Sequence, residues 1–275
     1  MQFGMPTLIE NKTLEENLAL CRRLSLNFVE LNMNFPEYQL SCLENTKALV
    51  TAAEKFDVYY TIHLDENLDP ANFNPLVSDA YFETVRRTIE AAKRLVSLKN
   101  RFGDAAQPLT LNMHMHHGVV ITLPNRKTAL YARDFDTYMA KMQSFFKACE
   151  AWIDGADIRI SIENTDTFRD YEKNAIECAL KSPCFSLTWD IGHSKACGET
   201  DMPFILEHEA HLSHFHIHDG TEKPPKNHLA LGTGEIDLKA RLTLAKSRNA
   251  RSVLETKTVV ALTDSVNWLK THDLF

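Results

Sequence analysis

What is scarce in this chain of 275 residues limits it first. No apolar run reaches the ~18 residues that a membrane-spanning helix needs. The opening segment, MQFGMPTLIENK, has no basic stretch leading into an apolar core, so no secretory leader is read there. The six cysteines (Cys21, Cys42, Cys149, Cys178, Cys184, Cys197) include no CxxC pair. Most lie inside apolar helical or strand patterns, which points to reduced packing residues of a cytoplasmic protein. Lysine and arginine (30) are outnumbered by aspartate and glutamate (37), and a net charge of −7 disfavours a broad electrostatic grip on nucleic acid. There is no Gly/Ser linker, low-complexity tract or short repeat, so residues 1–275 read as one domain.

What is present is an alternation of short apolar runs with longer amphipathic ones. The short runs QFGMPT (2–7), NFVELN (27–32), VYYTIHL (58–64), LTLNMHM (109–115), DIRISIEN (157–164), FSLTWDIG (185–192), HFHIHD (214–219) and RSVLETK (251–257) read as strands. Helical spacing predicts helices over 13–24, 40–56, about 78–98, 135–153, 170–181, 203–212, 237–247 and 263–272. The first opens with Thr13 and Glu16 at capping-box spacing. Eight strands alternating with eight helices is the pattern of a (β/α)8 TIM barrel in the α/β class. A doubly wound sheet usually has a glycine-rich turn after its first strand; TLIENKTLEEN stands there instead. Two connections, HHGVVITLPNRKTALYAR and the one after HFHIHDG, are long enough to be binding loops.

The chemistry gathers at strand ends. Strand 2 ends in Glu30 and Asn32, strand 3 in His63, and strand 4 runs into His114, His116 and His117. Strand 5 ends in Glu163 and Asn164, strand 6 in Asp190 followed by His193, strand 7 in His214, His216, His218 and Asp219, and strand 8 in Glu255. A barrel brings the C-terminal ends of its strands to one rim. Carboxylates and imidazoles collected there need a cation to compensate them. Glu163, Asp190, His216 and Glu255, at the ends of four consecutive strands, are therefore the candidate metal ligands. Such mixed O/N donors suit a divalent ion: Mn, Co, Zn or Mg. Alternate residues on a strand stand about 6.8 Å apart, so one ion does not take all three histidines of HFHIH. Trp189, Phe3 and Trp268 are candidate apolar walls of a pocket. Arg126, Lys127, Arg133, Lys223 and Lys226 lie in rim loops, while His208, His211 and His272 read as surface residues.

At IHLDENLD, HMHHG, ISIENTD, LTWDIGHS, HFHIHDG, NHLALGTGEID and VLETK the chain resembles the xylose-isomerase-like barrel superfamily, which includes sugar isomerases and epimerases and endonuclease IV. The resemblance runs from FVELN to VLETK. It implies a shared metal on Glu163, Asp190, His216 and Glu255, with Glu163 and Glu255 as the acid/base pair and His193 contacting a substrate oxygen. It places His216 as the ligand of strand 7, His214 one layer deeper as a hydrogen-bonded core residue, and His218 at the rim beside Asp219. By likeness to the trinuclear zinc site of endonuclease IV, His63, His116 and His228 are further metal or substrate contacts; Glu30, His218 and Lys226 are added as rim candidates. Two departures stand out. Lys226 occupies the place of an endonuclease IV aspartate, and a protonated ammonium does not ligate. The loop after strand 7 also lacks the epimerases' arginine.

The expected activity is thus a metal-dependent isomerase or epimerase of a small keto sugar or sugar phosphate, working by proton transfer next to a carbonyl. An endonuclease IV-like phosphodiesterase is the alternative, favoured by the extra histidines and disfavoured by the acidic charge. A non-catalytic sugar-binding barrel is the third, and the intact quartet counts against it. Barrels of this kind often pair, so a homodimer is the expected assembly.

Overall fold

The computed structural model describes residues 1–275. Eight strands, β1 (Phe3–Pro6), β2 (Phe28–Asn32), β3 (Tyr59–His63), β4 (Leu109–His114), β5 (Ile158–Glu163), β6 (Phe185–Asp190), β7 (Leu212–Ile217) and β8 (Arg251–Leu254), close into a barrel. Each pairs in parallel with the next in sequence, and β8 returns to β1. All eight overlap the short apolar runs, β7 starting two residues earlier than its run, at Leu212. Their residues are almost wholly buried because helices cover the outside while side chains fill the inside. No helix is long and apolar enough to cross a membrane.

Helix α1 (Leu14–Arg23) begins as its capping box requires: Glu16 N–H donates to Thr13 Oγ1 at 3.2 Å, and the Glu16 carboxylate accepts from Thr13 N–H at 3.3 Å. The helix read over 78–98 is longer, Pro75–Phe102, because Asn74 caps it and Pro75 occupies its first turn. The one read over 203–212 is shorter. It spans Met202–Glu207 and tightens into a 3-10 turn at Glu209–His211, since β7 already begins at Leu212.

Both long connections contain structure that their sequences hid. Residues Val120–Leu123 and Arg126–Ala129 pair as an antiparallel hairpin beyond β4, and Asp219–Thr221 pairs with Lys226–Leu229 beyond β7. Val119, Val120 and Ile121 are exposed, so no buried face imposes an alternating pattern on the first hairpin. Asp219 anchors the second connection: its carboxylate accepts from the backbone N–H of Gly232, Gly234 and Ile236. The barrel strands end sooner than their sequence runs. β7 stops at Ile217 and β8 at Leu254, which puts His218 and Glu255 just beyond them, at the rim.

Candidate metal centre

β5, β6, β7 and β8 deliver Glu163, Asp190, His216 and Glu255 to one point. One donor atom from each lies within 4.8 Å of all the others. His216 Nδ1 is 2.9 Å from Glu163 Oε1, 3.1 Å from Glu255 Oε2 and 3.9 Å from Asp190 Oδ2. Asp190 and His216 face each other in the β6–β7 register, which fixes their common height. All four residues are buried, Glu255 the most open at 6%.

Each carboxylate of the candidate acid/base pair has one oxygen tied and one left over. Glu163 Oε2 accepts from the Asn112 amide, and His114 Nε2 lies 3.1 Å from it. Glu255 Oε1 accepts from Lys257 Nζ at 2.8 Å. The remaining oxygens, Glu163 Oε1 and Glu255 Oε2, are buried without a hydrogen-bond partner, and so is His216 Nδ1 between them. Such orphaned polar atoms are costly in a protein interior.

Glu30 explains which nitrogen of His216 faces the centre. β2 and β7 are not neighbours in the barrel, so a bond between them crosses its interior. Glu30 Oε1 lies 2.8 Å from His216 Nε2, and Glu30 Oε2 takes His214 at 3.1 Å and Thr61 Oγ1 at 2.9 Å. With Nε2–H donated to this carboxylate, the lone pair of His216 sits on Nδ1 and points into the carboxylate cluster. Burial would raise the pKa of Glu30, but the two histidines prevail and hold it below the ordinary value. Burial opposes a charged His216, yet Glu163, Glu255 and Glu30 push its pKa well above normal. Glu163 and Glu255 are likewise held well below the ordinary range, burial being outweighed chiefly by His216. A positive charge at Nδ1 is what these surroundings require. A divalent cation among the four donors meets that requirement and satisfies the three orphaned atoms at once, so the residues fit the metal.

Two further histidine groups flank the quartet. His63 donates Nδ1–H to the Leu64 carbonyl at 2.7 Å, which turns Nε2 toward Glu163 Oε2 at 3.5 Å, beside His114. On the other flank stand His193, His218 and His228. Asp190 caps the helix Ile191–Ala196 by accepting the His193 N–H at 2.6 Å. His218 Nε2 lies 2.9 Å from Asp190 Oδ1, and its Nδ1 accepts the His228 N–H at 2.7 Å, which leaves the ring proton on Nε2. A Cβ at position 192 would fall 2.0 Å from the His218 ring, so only glycine lets the ring lie there. His228 Nδ1 is 3.0 Å from the Glu255 carbonyl, and burial lowers its pKa to about 4, so the ring is neutral, donates through Nδ1 and offers Nε2 as acceptor to His193 Nε2 at 3.3 Å.

The structure sorts the remaining sequence candidates. His116 does not reach the quartet: its Nδ1 lies 3.5 Å from Asp69 and accepts the Gly118 N–H. His114, two residues earlier, touches Glu163 because these two are partners in the β4–β5 register. Lys226 is exposed on the second hairpin and forms no ion pair. The cation that does reach the centre is Lys257, which sequence reading missed although it ends the VLETK run; Asn112, inside β4, was missed as well. The proposed apolar walls are elsewhere. Trp189 is fully buried and donates to Ser194 at 2.8 Å, Phe3 stacks on Phe275, and Trp268 stacks on His272. What borders the centre through His114 is a polar cavity of about 370 Å3, lined by Glu66, Asn67, His114–Gly118 and Thr165.

Residues 18–272 match a family model described as xylose isomerase-like TIM barrel. No curated protein sequence matches the chain. Among solved structures, a D-tagatose 3-epimerase-like protein superposes with a TM-score of 0.76 at 20% identity, covering 99% of this chain and 97% of that one. The 3-keto-D-glucoside 4-epimerase of E. coli gives 0.75 at 14% identity, covering 98% and 99%. A D-allulose 3-epimerase from Methylomonas sp., in complex with D-allulose, gives 0.68 at 13%, covering 99% and 96%. At these identities the likeness is one of fold.

Proposed function

Because the chain belongs to the xylose isomerase-like TIM barrel family, we propose that it is a divalent-metal-dependent isomerase or epimerase of a small keto sugar or sugar phosphate. The observation that carries this reading is the pair Glu163 and Glu255, each with one oxygen fixed by donors and the other free, on either side of His216 Nδ1. Glu163, Asp190, His216 and Glu255 would hold the cation, whose chemistry when bound is to polarise a carbonyl and an adjacent hydroxyl.

The chain's own groups supply the rest. One carboxylate accepts the proton from the carbon beside the carbonyl and the other returns one. Asn112 and His114 orient Glu163, and Lys257 orients Glu255. His193, whose Nδ1 lies 3.5 Å from Asp190 Oδ2 and whose Nε2 lies 3.3 Å from His228 Nε2, would contact a substrate oxygen. The cavity beside His114, at about 370 Å3, is at the small end of ligand sites, and its polar lining suits a monosaccharide.

Incubating the metal-loaded protein with a panel of keto sugars in D2O tests this by NMR. Deuterium should appear at the carbon next to the carbonyl, and Glu163→Gln should slow the exchange by about 10²- to 10⁴-fold. Full turnover by Glu163→Gln on an identified sugar would sink the mechanism. The groups His63/His114/Glu163 and His193/His218/His228 favour a second reading, a multinuclear phosphodiesterase. Two or three metals per chain together with nicking of abasic duplex DNA would support that reading; one metal and no nicking would remove it.

A further inference from the structure

At the mouth of the barrel opposite the metal centre, β5, β6 and β7 begin beside a cavity of about 260 Å3. Its lining includes Arg159, Arg248, His211, Ser182, Ser186 and Ser213, and no carboxylate. In a chain of net charge −7, a cavity whose only charged lining residues are two arginines runs against the general balance. We propose that this cavity is a binding site for a phosphate-class anion, either free phosphate or the phosphate group of a small metabolite.

The case rests on unspent donors. A guanidinium presents five N–H donors, and when buried it is ordinarily satisfied by carboxylates, carbonyls or hydroxyls, as Arg251 is by Tyr59, Pro108, Thr110 and Gln107. Arg159, half-buried in β5, makes a single hydrogen bond, Nε to the Pro183 carbonyl at 3.3 Å, and no ion pair. The nearby Asp157 is already taken by Lys99 at 2.5 Å. Arg248 gives one nitrogen to Glu209 and keeps a buried Nε without a partner. The His211 imidazole, expected at a helical surface, lines the cavity and forms no hydrogen bond; burial, His208 and Arg159 lower its pKa. Ser213 Oγ donates to Ser186 Oγ at 2.8 Å, which leaves the Ser186 hydroxyl proton for a further acceptor. One guanidinium without a carboxylate partner, a second with a free Nε, and neutral imidazole and hydroxyl donors in a half-enclosed space suit an anion with several acceptor oxygens. The volume falls below the ~300–1,000 Å3 of ordinary ligand pockets, which limits the occupant to a small ion or a short phosphorylated molecule.

Calorimetric titration in phosphate-free buffer tests this with three probes: inorganic phosphate, a phosphorylated triose and the same triose without phosphate. One phosphate should bind per chain. Arg159→Gln should weaken it about tenfold or more, Arg248→Gln should weaken it too, and Arg159→Lys should retain part of the affinity. His216→Ala, which disrupts the metal centre, should leave it unchanged. If Arg159→Gln fails to fold, the Arg159→Lys and Arg248→Gln comparison carries the test. Tighter binding of the phosphorylated triose than of phosphate identifies a metabolite site, equal binding a free-phosphate site; both support the proposal. No phosphate binding at about 10 mM, unchanged binding in both arginine variants, or loss in His216→Ala overturns it.

Discussion

Glu30 is the residue on which the polarity of the centre turns. It holds Nε2 of His216 and so aims Nδ1 at the quartet, although it touches no quartet carboxylate itself. His216→Ala should abolish metal binding, whereas Glu30→Gln should weaken it by about 10- to 100-fold, the usual effect of losing a partner behind a ligand. Metal titration of the two variants separates these outcomes; equal and complete loss in both would make Glu30 a ligand instead. At this scale the sequence was informative where chemistry and position coincide. Glu163, Asp190 and Glu255 are carboxylates at strand ends, and the two-residue period put His214 one layer below His216. It was less informative where register decides. His114 ends β4 and His116 follows two residues later in the connection, and nothing in the residues themselves says which stands level with Glu163. Lys257 ends the RSVLETK run and was missed because only ligating and acid/base side chains were sought at the strand ends.

Among the elements, the connection after β4 is held by charged pairs at one end and by the buried Tyr131, packed on Phe73, Tyr138 and Tyr171, at the other. His117 bridges Glu172 at 2.6 Å and Asp166 at 2.7 Å, and Tyr171 donates to its carbonyl at 2.9 Å. Tyr131, where the chain leaves the first hairpin, donates to the buried Asp69 at 2.7 Å. The hydrogen bonds to Asp166 and Glu172 raise the pKa of His117 from 6.5 to about 9. Its folded pKa lies above the unfolded one, so its contribution to stability is complete below 6.5 and disappears as the pH rises through about 9. Urea unfolding of the parent and of His117→Gln should accordingly differ most at low pH and converge above about 9; a gap that persists there contradicts the pairing. The hairpin itself could not be read in advance. Exposed on both faces, it owes its form to a short turn and to backbone pairing alone, and neither leaves an apolar signature.

For the whole molecule, three buried carboxylates around one imidazole repel one another until a cation joins them. Stripping the metal should therefore destabilise the chain. With free metal at about a thousand times its Kd, the linked stabilisation is about 4 kcal/mol, on the order of 10 °C in Tm. Melting curves with and without a chelator measure it, and coincident curves would show that the quartet holds no ion. The barrel architecture was legible because strands buried on both sides must be short and apolar, and eight such runs separated by helices leave few alternatives. Its closure was an inference from their number.

That closure is uneven. β4 and β5 are joined through six registered pairs, whereas β3 meets β4, and β8 meets β1, through only two each. These short ladders divide the wall into a five-stranded arc, which carries every quartet ligand, and a three-stranded arc, which brings Glu30 and His63 up behind them. Local opening that begins at these short ladders should leave the four candidate ligands together and draw Glu30 and His63 away from them. The fold thus keeps the four candidate ligands on one arc and Glu30, the carboxylate behind His216, on the other.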